Sequence, residues 1–495
     1  MSHDIEAAYA ATEVVNRFIT NPMECFDAPP SAGSLSGYAA REGRHAWPHA
    51  DGVIELAIAS GAKPTSYSVA VEYKRPNEGL HGVLTAIGQS QAYLRKGYAG
   101  SVIVIPEKYP GFITPGKYVS EVLDLTSNLP GIGVFTYSTP NMALVSPFAG
   151  KLSLCRPLKM DLHTPVTKKA TISRTETQWA HVREGSTDPD AIFKYLQAVK
   201  LLGGNILKSP PPVIPSKILA AIARVKPGVA PEKYLSNCPN DDLPDVAWRH
   251  FWFGFVLHAG SIDGWRIDTA GSFHVNETSS KIVRSDDNGN KLFFVGRSDS
   301  IKNKLVAELN SGAKTEDLAY DDLVENYHGR AHSYREDIDS GCEHLGFVDS
   351  FGRLTDSGYR FVDACERYGN PNEGIPRSLF LSALLGEGGL GAFLHYVYRL
   401  SEEIFSNNPL AFSSPNPNPK QAPLFNSQAY LSWLEEQMAN RLRVMRKVSL
   451  RGGTKRKPFQ AELAILRGMG IIRKKFRIGV GVVINWPEFN DYNNL

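Results

Sequence analysis

The stretch from residue 68 to residue 106 constrains this 495-residue chain most strongly, because it places an acid and a base inside an apolar run. Glu72 and Lys74 are two positions apart, among β-branched and aromatic residues. Side chains at i and i+2 of a strand point to the same face of the sheet. The spacing therefore predicts that Glu72 and Lys74 lie side by side, where core residues would otherwise stand.

A second acid precedes this pair in the sequence. Asp51 opens the apolar run 52–58, which is typical of a buried strand. Two carboxylates and a lysine that converge on one sheet form a site for a hard cation, with an amine beside it to offset negative charge. Metal-assisted cleavage of a phosphodiester uses such a set of groups.

The order of these motifs resembles the PD-(D/E)xK nuclease superfamily, which includes many restriction endonucleases. The family pattern is an Asp at the start of one strand, Glu-x-Lys on the next, a helix that often carries Gln-xxx-Tyr, and a further strand. In this sequence the matching positions are Asp51, Glu72, Lys74, Gln89 and Tyr93, followed by a strand at 101–105. The chain departs from the pattern before the first acid, where His-Ala-Asp replaces the family's Pro-Asp.

The resemblance implies an α/β restriction-endonuclease-like core with a mixed sheet at the N-terminus, and a Mg²⁺ cofactor for which Mn²⁺ would substitute. Asp51 and Glu72 would bind the cation, with the carbonyl oxygen of Tyr73 as a third ligand. Lys74 would hold or activate the attacking water and offset charge on the phosphate. Gln89 and Tyr93, one helical turn apart, would orient Lys74 or a phosphate of the cleaved strand. Without the other motifs, Glu-x-Lys would be read as an ion pair on a solvated sheet face.

Composition and patterning divide the chain into five segments. Residues 1–160 carry the nuclease motifs, and residues 161–310 form a middle domain of unknown role with mostly helical patterning. Residues 311–405 resemble a winged helix, in which Thr355 is the expected N-cap of a helix. Residues 406–424 form a linker rich in proline and asparagine. Residues 425–495 look like a second, basic winged-helix (α+β) domain.

Positive charge is concentrated near the C-terminus. Residues 441–478 contain thirteen Lys and Arg and a single acidic residue, although the net charge of the whole chain is only +3. Such a block indicates a polyanion partner, and we expect double-stranded DNA. A solvated surface tail is the alternative. The residues expected to contact DNA are Arg451, Lys455, Arg456, Lys457, Lys474, Lys475 and Arg477.

Several other classes of protein are disfavoured. The glycine-rich run at 386–391 lacks the Lys-Ser/Thr of a phosphate-binding loop, so we expect no ATP. Five scattered cysteines without CxxC spacing indicate reduced thiols rather than disulfides or a zinc site. The sequence has no apolar run of membrane-spanning length and no signal-peptide pattern at its start. These features predict a cytoplasmic protein without a membrane partner.

The sequence thus favours a Mg²⁺-dependent DNA endonuclease that acts in restriction or another defence against foreign DNA. Cleavage of two strands by one site per chain favours a homodimer. Two alternatives stay open at this point. One is a non-catalytic winged-helix regulator that binds DNA, and the other is a nuclease subunit that requires a separate ATPase or sensor protein as its partner.

Overall fold

A computed structural model of the chain divides into two compact units, Met1–His181 with Leu381–Leu495, and Val182–Phe380. This division differs from the five segments expected, because the basic C-terminal segment belongs to the same unit as the N-terminal sheet. The residues that the structure describes are 3–29, 35–42, 48–59, 64–126, 131–160, 175–180, 182, 188–203, 216–225, 227–228, 230–231, 243–251, 265–267, 270, 273–275, 282–285, 291–295, 299–319, 321–322, 325, 338–349, 351–446 and 457–493.

The first unit is built on a mixed six-stranded sheet at the N-terminus, which confirms the expected type of sheet. Its strands are β1 Leu35–Ala40, β2 Gly52–Ile58, β3 Thr65–Tyr73, β4 Gly100–Pro106, β5 Ile132–Tyr137 and β6 Leu152–Arg156. They lie in sequence order across the sheet. The β3–β4 and β4–β5 pairs are parallel, whereas β1–β2, β2–β3 and β5–β6 are antiparallel.

Helices cover both faces of this sheet, which explains why its central strands are apolar without alternation. Helix α1 (His3–Thr20), followed by the short α2 (Pro22–Cys25), lies on one face, where Phe18 packs against Phe135 of β5. Helices α3 (Gly79–Lys96) and α4 (Pro115–Leu125) lie on the other face and share an apolar core with β4 and β5. Gly97 ends α3 in a left-handed conformation that favours glycine.

Strand β1 was not expected, because it begins inside the Gly, Ser and Pro-rich run 28–37, which the composition predicts to be a loop. Gly37 fits in this strand because an added Cβ would approach the backbone oxygen of Glu55 to 2.6 Å. The outer edge of β1 is covered, since the Ala39 N–H donates to the carbonyl oxygen of Arg443 at 2.7 Å. A residue about 400 positions away in the sequence thus pairs with part of this edge, which an isolated edge strand would leave open.

The C-terminal part of the first unit is mostly helical. It contains α11 Leu390–Asn407, α12 Ser427–Glu436, a π-helical turn Gln437–Arg441, α13 Gln460–Gly468 and α14 Trp486–Asn493. A hairpin follows α13, with bridges between Ile472 and Ile484 and between Arg477 and Gly481. The sequence predicted this helix and β-ribbon in the same order.

The proline and asparagine-rich segment 406–424 is folded within the first unit. It contains the short strand β11 Ser413–Ser414, which pairs with β12 Leu424–Phe425. Phe412 packs against Tyr430 and Trp433 of α12. Its composition suggested a linker between domains, but the chain on both sides of it belongs to one unit.

The second unit combines helices with two-stranded hairpins. Its elements are α5 Pro189–Leu202, α6 Ser216–Val225, α7 Leu243–Phe251, β7 Trp265–Ile267, β8 Phe273–Val275, β9 Ile282–Ser285, β10 Lys291–Val295, α8 Asp299–Asn310 and α9 Asp356–Tyr368, with α10 Gly374–Leu385 at its boundary. Helix α9 begins as predicted, because the Thr355 side chain accepts a hydrogen bond from the Gly358 N–H. Buried Lys200 contacts Asp363 and Glu366, which joins α5 to α9.

Two general expectations concern cysteines and membranes. The four described cysteines, Cys25, Cys155, Cys342 and Cys365, are free thiols. In the part of the chain that the structure describes, no single helix has the length and apolarity to cross a membrane. Among the described residues, α10 and α11 pass the same test of length and composition when they are taken together.

Candidate active site

Asp51 and Glu72 are brought together by the register of two antiparallel strands. Gly52 of β2 pairs with Val71 of β3, so the next pair outward sets Asp51 opposite Glu72. The Tyr73 N–H donates to Asp51 Oδ2 at 2.8 Å, which fixes the carboxylate against the end of β3. The two acids of the sequence motif therefore meet at one end of the sheet.

Glu72 and Lys74 form a direct ion pair, as their spacing predicted. Lys74 Nζ lies 2.7 Å from Glu72 Oε1, and the side chains are 10% and 0% exposed, respectively. The pair is therefore buried, which rules out the solvated sheet face that a lone Glu-x-Lys would suggest. Glu78 approaches Lys74 from the 3₁₀ turn after β3, with its Oε2 3.6 Å from Nζ. A buried ion pair is weak evidence for added stability, because desolvation of the charges offsets their attraction.

Tyr93 reaches Glu72 from α3. Its hydroxyl contacts Glu72 Oε2 and lies 2.9 Å from the carbonyl oxygen of His49. A phenol donates one proton, which the Tyr93 hydroxyl shares between these two acceptors, and donation to Glu72 favours the ionised carboxylate. The sequence suggested that Tyr93 orients Lys74 or a phosphate, whereas the structure gives it Glu72 as its partner.

Gln89 lies one turn before Tyr93 on the same helix. Its Oε1 atom is buried and accepts no hydrogen bond from the residues that the structure describes. Among the described residues, no hydrogen bond joins this atom to Lys74. The assignment of Gln89 as an orienting residue thus stays a prediction from the sequence motif.

The electrostatics of the site favour proton uptake by its acids. Burial and the nearby Asp51 charge raise the pKa of Glu72 to about 7, although Lys74 and Tyr93 oppose this shift. Burial likewise raises the pKa of Asp51 above its usual range. Burial works to lower the pKa of Lys74, but its contacts with Glu72, Asp51 and Glu78 outweigh this effect and raise it. The lysine is therefore an ammonium group at neutral pH.

The carbonyl oxygen of Tyr73, the expected third ligand, has a neighbour that the motif did not predict. His3 Nε2 of α1 lies 3.2 Å from this oxygen. Burial lowers the pKa of His3, but the side chain of Asp4 and the charge of Asp51 outweigh burial and raise it to about 9. A positively charged imidazole thus stands beside the carboxylate of Asp51 and the carbonyl of Tyr73.

Residues 73–75 are held from the side of the sheet that α1 covers. The Tyr73 hydroxyl donates to Glu6 Oε2 at 3.2 Å, and Arg75 Nε donates to the same oxygen at 2.9 Å. The Tyr137 hydroxyl of β5 donates to the carbonyl oxygen of Lys74 at 2.8 Å. These bonds fix the backbone that carries Lys74 and so limit where its amine can point.

The donor set fits a hard divalent cation. Asp51, Glu72 and the Tyr73 carbonyl offer oxygen atoms, and Mg²⁺ is commonly held by one or two carboxylates while it keeps several waters. Within the described ranges, no group of three or more His, Cys, Asp or Glu side chains is arranged to hold a metal ion.

A cavity of about 140 Å³ opens beside Asp51. Its polar lining comes from α1, from the chain before β2, and from the segments around residues 178 and 387. The polar side chains that line it are Asp4, Arg41, His49, Asp51, Gln178 and Glu387. Asp51 is therefore accessible from this cavity, whereas Glu72 is covered by Tyr93 and Lys74.

The basic residues predicted to contact DNA fall into two groups. Lys457, Lys474, Lys475 and Arg477 are exposed, and the last three lie on the hairpin after α13. Phe476 anchors this hairpin by packing against Phe425 and Tyr430. The remaining three positions, Arg451, Lys455 and Arg456, lie outside the described residues.

Sequence reasoning missed four side chains around the site, namely His3, Glu42, Glu78 and Lys96. Glu78 carried a readable signal, because it follows Lys74 by four positions. Lys96 lies on the helix that was singled out for Gln89 and Tyr93, but its partner Glu42 is 54 residues away. His3 and Glu42 precede the motif, and no local pattern marks them.

Comparison with known proteins assigns no family to this chain. A scan against protein-family models found no family that matches the chain, and a search of curated proteins found no matching sequence.

Replacement of Tyr93 by Phe tests the link between α3 and Glu72. The hydroxyl holds down the pKa of Glu72, so Tyr93→Phe should raise this pKa and shift any Glu72-dependent binding profile to higher pH. Loss of the bond to His49 should also lower the free energy of unfolding by about 1 kcal/mol. Carboxyl titration by NMR and thermal melts would measure the two effects.

Tyr109→Phe is the matched control, since Tyr109 is a buried tyrosine of the α3 and α4 core without a contact to Glu72. An unchanged Glu72 titration in Tyr93→Phe would contradict the proposed hydroxyl contact.

Proposed function

We propose that the protein is a Mg²⁺-dependent endonuclease that hydrolyses phosphodiester bonds in double-stranded DNA. One observation carries the proposal. Asp51 and Glu72 stand opposite each other at the end of two strands, with the ammonium group of Lys74 2.7 Å from Glu72 Oε1 and buried beside it. The resemblance of this motif to PD-(D/E)xK nucleases supports the same reaction, and supports a restriction-endonuclease-like character for the sheet.

Hydrolysis forms a bond between a water oxygen and phosphorus and breaks one phosphorus–oxygen ester bond. The attacking water gives up one proton to solvent, and the leaving alkoxide takes up one proton from solvent. Lys74 holds the attacking water and offsets the negative charge that develops on the phosphate oxygens. Asp51, Glu72 and the carbonyl of Tyr73 would hold the cation. The chemistry that bound Mg²⁺ supplies is Lewis-acid stabilisation of this charge. Tyr93 keeps the carboxylate of Glu72 in a single orientation.

The basic hairpin supports DNA as the polymer. Lys474, Lys475 and Arg477 are exposed on the same unit that contains the carboxylates. Exposed Lys and Arg side chains bind phosphates without reading sequence, so the hairpin supplies affinity and orientation. The proposal includes the winged-helix-like folds that the sequence predicts for residues 311–405 and 425–495.

The biological context follows from the type of reaction. A nuclease with its own DNA-binding segment suits restriction or another defence against foreign DNA. One active site per chain cuts one strand at a time, so cleavage of both strands is best served by a homodimer. A partner protein of the same defence system would be a separate chain that binds to this nuclease.

The test is incubation of the purified protein with phage and plasmid DNA in Mg²⁺, in Mn²⁺ or in EDTA. We expect cleavage in both metals and none in EDTA, with discrete fragments if recognition is sequence-specific. DNA that is bound in a gel-shift assay but stays uncut in either metal would reject the proposal for the isolated chain. Such a result would favour a DNA-binding regulator or a nuclease that waits for its partner.

Metal binding should depend on pH through Glu72. Its pKa of about 7 lies above the ordinary glutamate value, so the metal-free folded state holds a proton that a cation must displace. Mn²⁺ affinity should therefore rise through pH 6 to 7 and level off above pH 8. The stability of the metal-free protein should fall across the same range, because the folded state binds this proton more tightly than the unfolded state.

Calorimetric titration of Mn²⁺ at several pH values, beside thermal melts in EDTA, would measure both effects. Glu72→Gln is the control for the thermal melts, since this variant should have a stability that depends less on pH. Mn²⁺ affinity that stays constant from pH 6 to 8 would contradict the role given to Glu72.

A further inference from the structure

The four residues that lead into β2 are each held by a separate hydrogen bond. Lys96 Nζ donates to the carbonyl oxygen of Pro48 at 2.8 Å. Tyr93 lies 2.9 Å from the carbonyl oxygen of His49, and the Ala50 N–H donates to Glu42 Oε2 at 3.0 Å. The last of the four is Asp51, whose carboxylate accepts from the Tyr73 N–H. Residues 48–51 thus have a single position, set by groups outside the segment.

Two of these anchors belong to one buried ion pair. Lys96 contacts Glu42 Oε1 directly, and the side chains are 9% and 1% exposed. Tyr98 also forms a side-chain hydrogen bond with this carboxyl. Glu42 uses one oxygen for Lys96 and the other for the Ala50 N–H, so the pair and the segment form one connected network.

A gain in stability is a weak explanation for the burial of an ion pair such as Glu42 and Lys96. Apolar residues of the same volume often replace a buried ion pair without loss, because desolvation offsets the attraction. A charged pair does have fixed hydrogen-bond directions, which an apolar pair lacks. In this protein, the hydrogen bonds of Lys96 and Glu42 hold the backbone of residues 48 and 50, immediately before Asp51.

We infer that Glu42 and Lys96 are positioning residues for the cation site: they fix residues 48–50, and through them the carboxylate of Asp51. The inference rests on the proposed function, because it assumes that Asp51 holds a divalent cation. Neither side chain touches the cation. Groups of this kind orient the ligands, and their removal commonly weakens metal affinity by about 10-fold to 100-fold.

The probe is Mn²⁺ alone, titrated by calorimetry into the full chain at pH 8. Glu42→Gln with Lys96→Met removes both charges together, so no unpaired charge is left in the core. We expect this double variant to bind Mn²⁺ about 10-fold more weakly than the wild type. Hydrogen exchange at the Ala50 amide should be faster, since the segment loses its anchors.

Two further variants separate positioning from general stability. Lys96→Arg keeps a donor for the Pro48 carbonyl and should retain Mn²⁺ affinity within about 3-fold, in line with the small cost of a retained contact. Lys200→Met removes the buried ammonium group that contacts Asp363 and Glu366 in the other unit. This change should lower the melting temperature without altering Mn²⁺ affinity. If the double variant fails to fold, Glu42→Asp keeps both charges, shortens the reach to Ala50, and should weaken Mn²⁺ binding in the same way.

The results of these experiments separate failure of this inference from failure of the proposed function. A folded double variant, or Glu42→Asp in its place, that binds Mn²⁺ as the wild type does overturns this inference and leaves the proposed function intact. Equal weakening by Lys200→Met also overturns it, because the effect would then follow stability rather than position. A wild-type protein that binds no Mn²⁺ overturns both proposals.

Discussion

Glu72→Gln should reduce DNA cleavage at least about 1,000-fold while the protein stays folded, since loss of a charge-stabilising group at such a site costs several kcal/mol of barrier. Gln has the shape of Glu but offers a neutral amide where the cation requires a carboxylate. Asp51 would remain as the one acid of the pair, and Lys74 would lose the partner that holds its ammonium group at 2.7 Å.

The expected stability of this variant separates a catalytic effect from unfolding. Glu72 is fully buried, and its raised pKa means that burial of its charge opposes folding above pH 7. A neutral Gln removes that penalty, although Lys74 then depends on Glu78 and Asp51 for its charge. We therefore expect the free energy of unfolding in EDTA at pH 8 to equal or exceed that of the wild type.

Initial cleavage rates in Mg²⁺ and thermal melts in EDTA would be measured on the same preparations. Glu121→Gln is the control, because Glu121 is an exposed acid of α4 that pairs with Lys117. It should cut DNA as fast as the wild type does. Cleavage by Glu72→Gln within 10-fold of the wild-type rate would remove Glu72 from the mechanism.

The second large effect concerns DNA binding by the hairpin after α13. Substitution of Lys474, Lys475 and Arg477 by Gln should weaken DNA binding by one to two orders of magnitude near 0.1 M salt, since about three phosphate contacts are lost. The plot of log affinity against log salt concentration should become shallower by roughly 3. The hairpin should keep its shape, because its bridges are backbone contacts and Phe476 remains packed.

Fluorescence anisotropy with a short duplex over a range of salt concentrations would give both numbers. Lys108, Lys117 and Lys420 changed together to Gln remove the same charge from other exposed positions of the first unit. This control should leave the salt dependence near that of the wild type. A hairpin variant with wild-type affinity at every salt concentration would show that the basic segment is a solvated surface.

Local patterns predicted the centre of the sheet well. Strand β4 and the strand at Ile132–Tyr137 are runs of apolar residues, and α3 repeats apolar residues at helical spacing up to a glycine stop. The contact between Glu72 and Lys74 also follows from a local rule, the two-residue period of a strand. These features depend on neighbours in the sequence, so the sequence alone is enough to find them.

The features that were missed depend on distant partners. Strand β1 is short and rich in small residues, and the Ala39 N–H at its outer edge donates to the carbonyl oxygen of the distant Arg443. The pairing of Asp51 with Glu72 requires the antiparallel register of β2 and β3, and the Glu42–Lys96 contact spans 54 residues. Segment 406–424 has the composition of a linker but is held by aromatic packing of Phe412. None of these can be read from a periodic pattern.

A crystal of the protein soaked in Mn²⁺, with the ion located by its anomalous scattering, tests the proposed cation site most directly. We expect a peak bonded to carboxylate oxygens of both Asp51 and Glu72, at about 2.1 Å. The same soak of Glu72→Gln crystals should give a weaker peak or none. A Mn²⁺ peak elsewhere in the molecule, in crystals of protein that cleaves DNA, would contradict the assignment of this site.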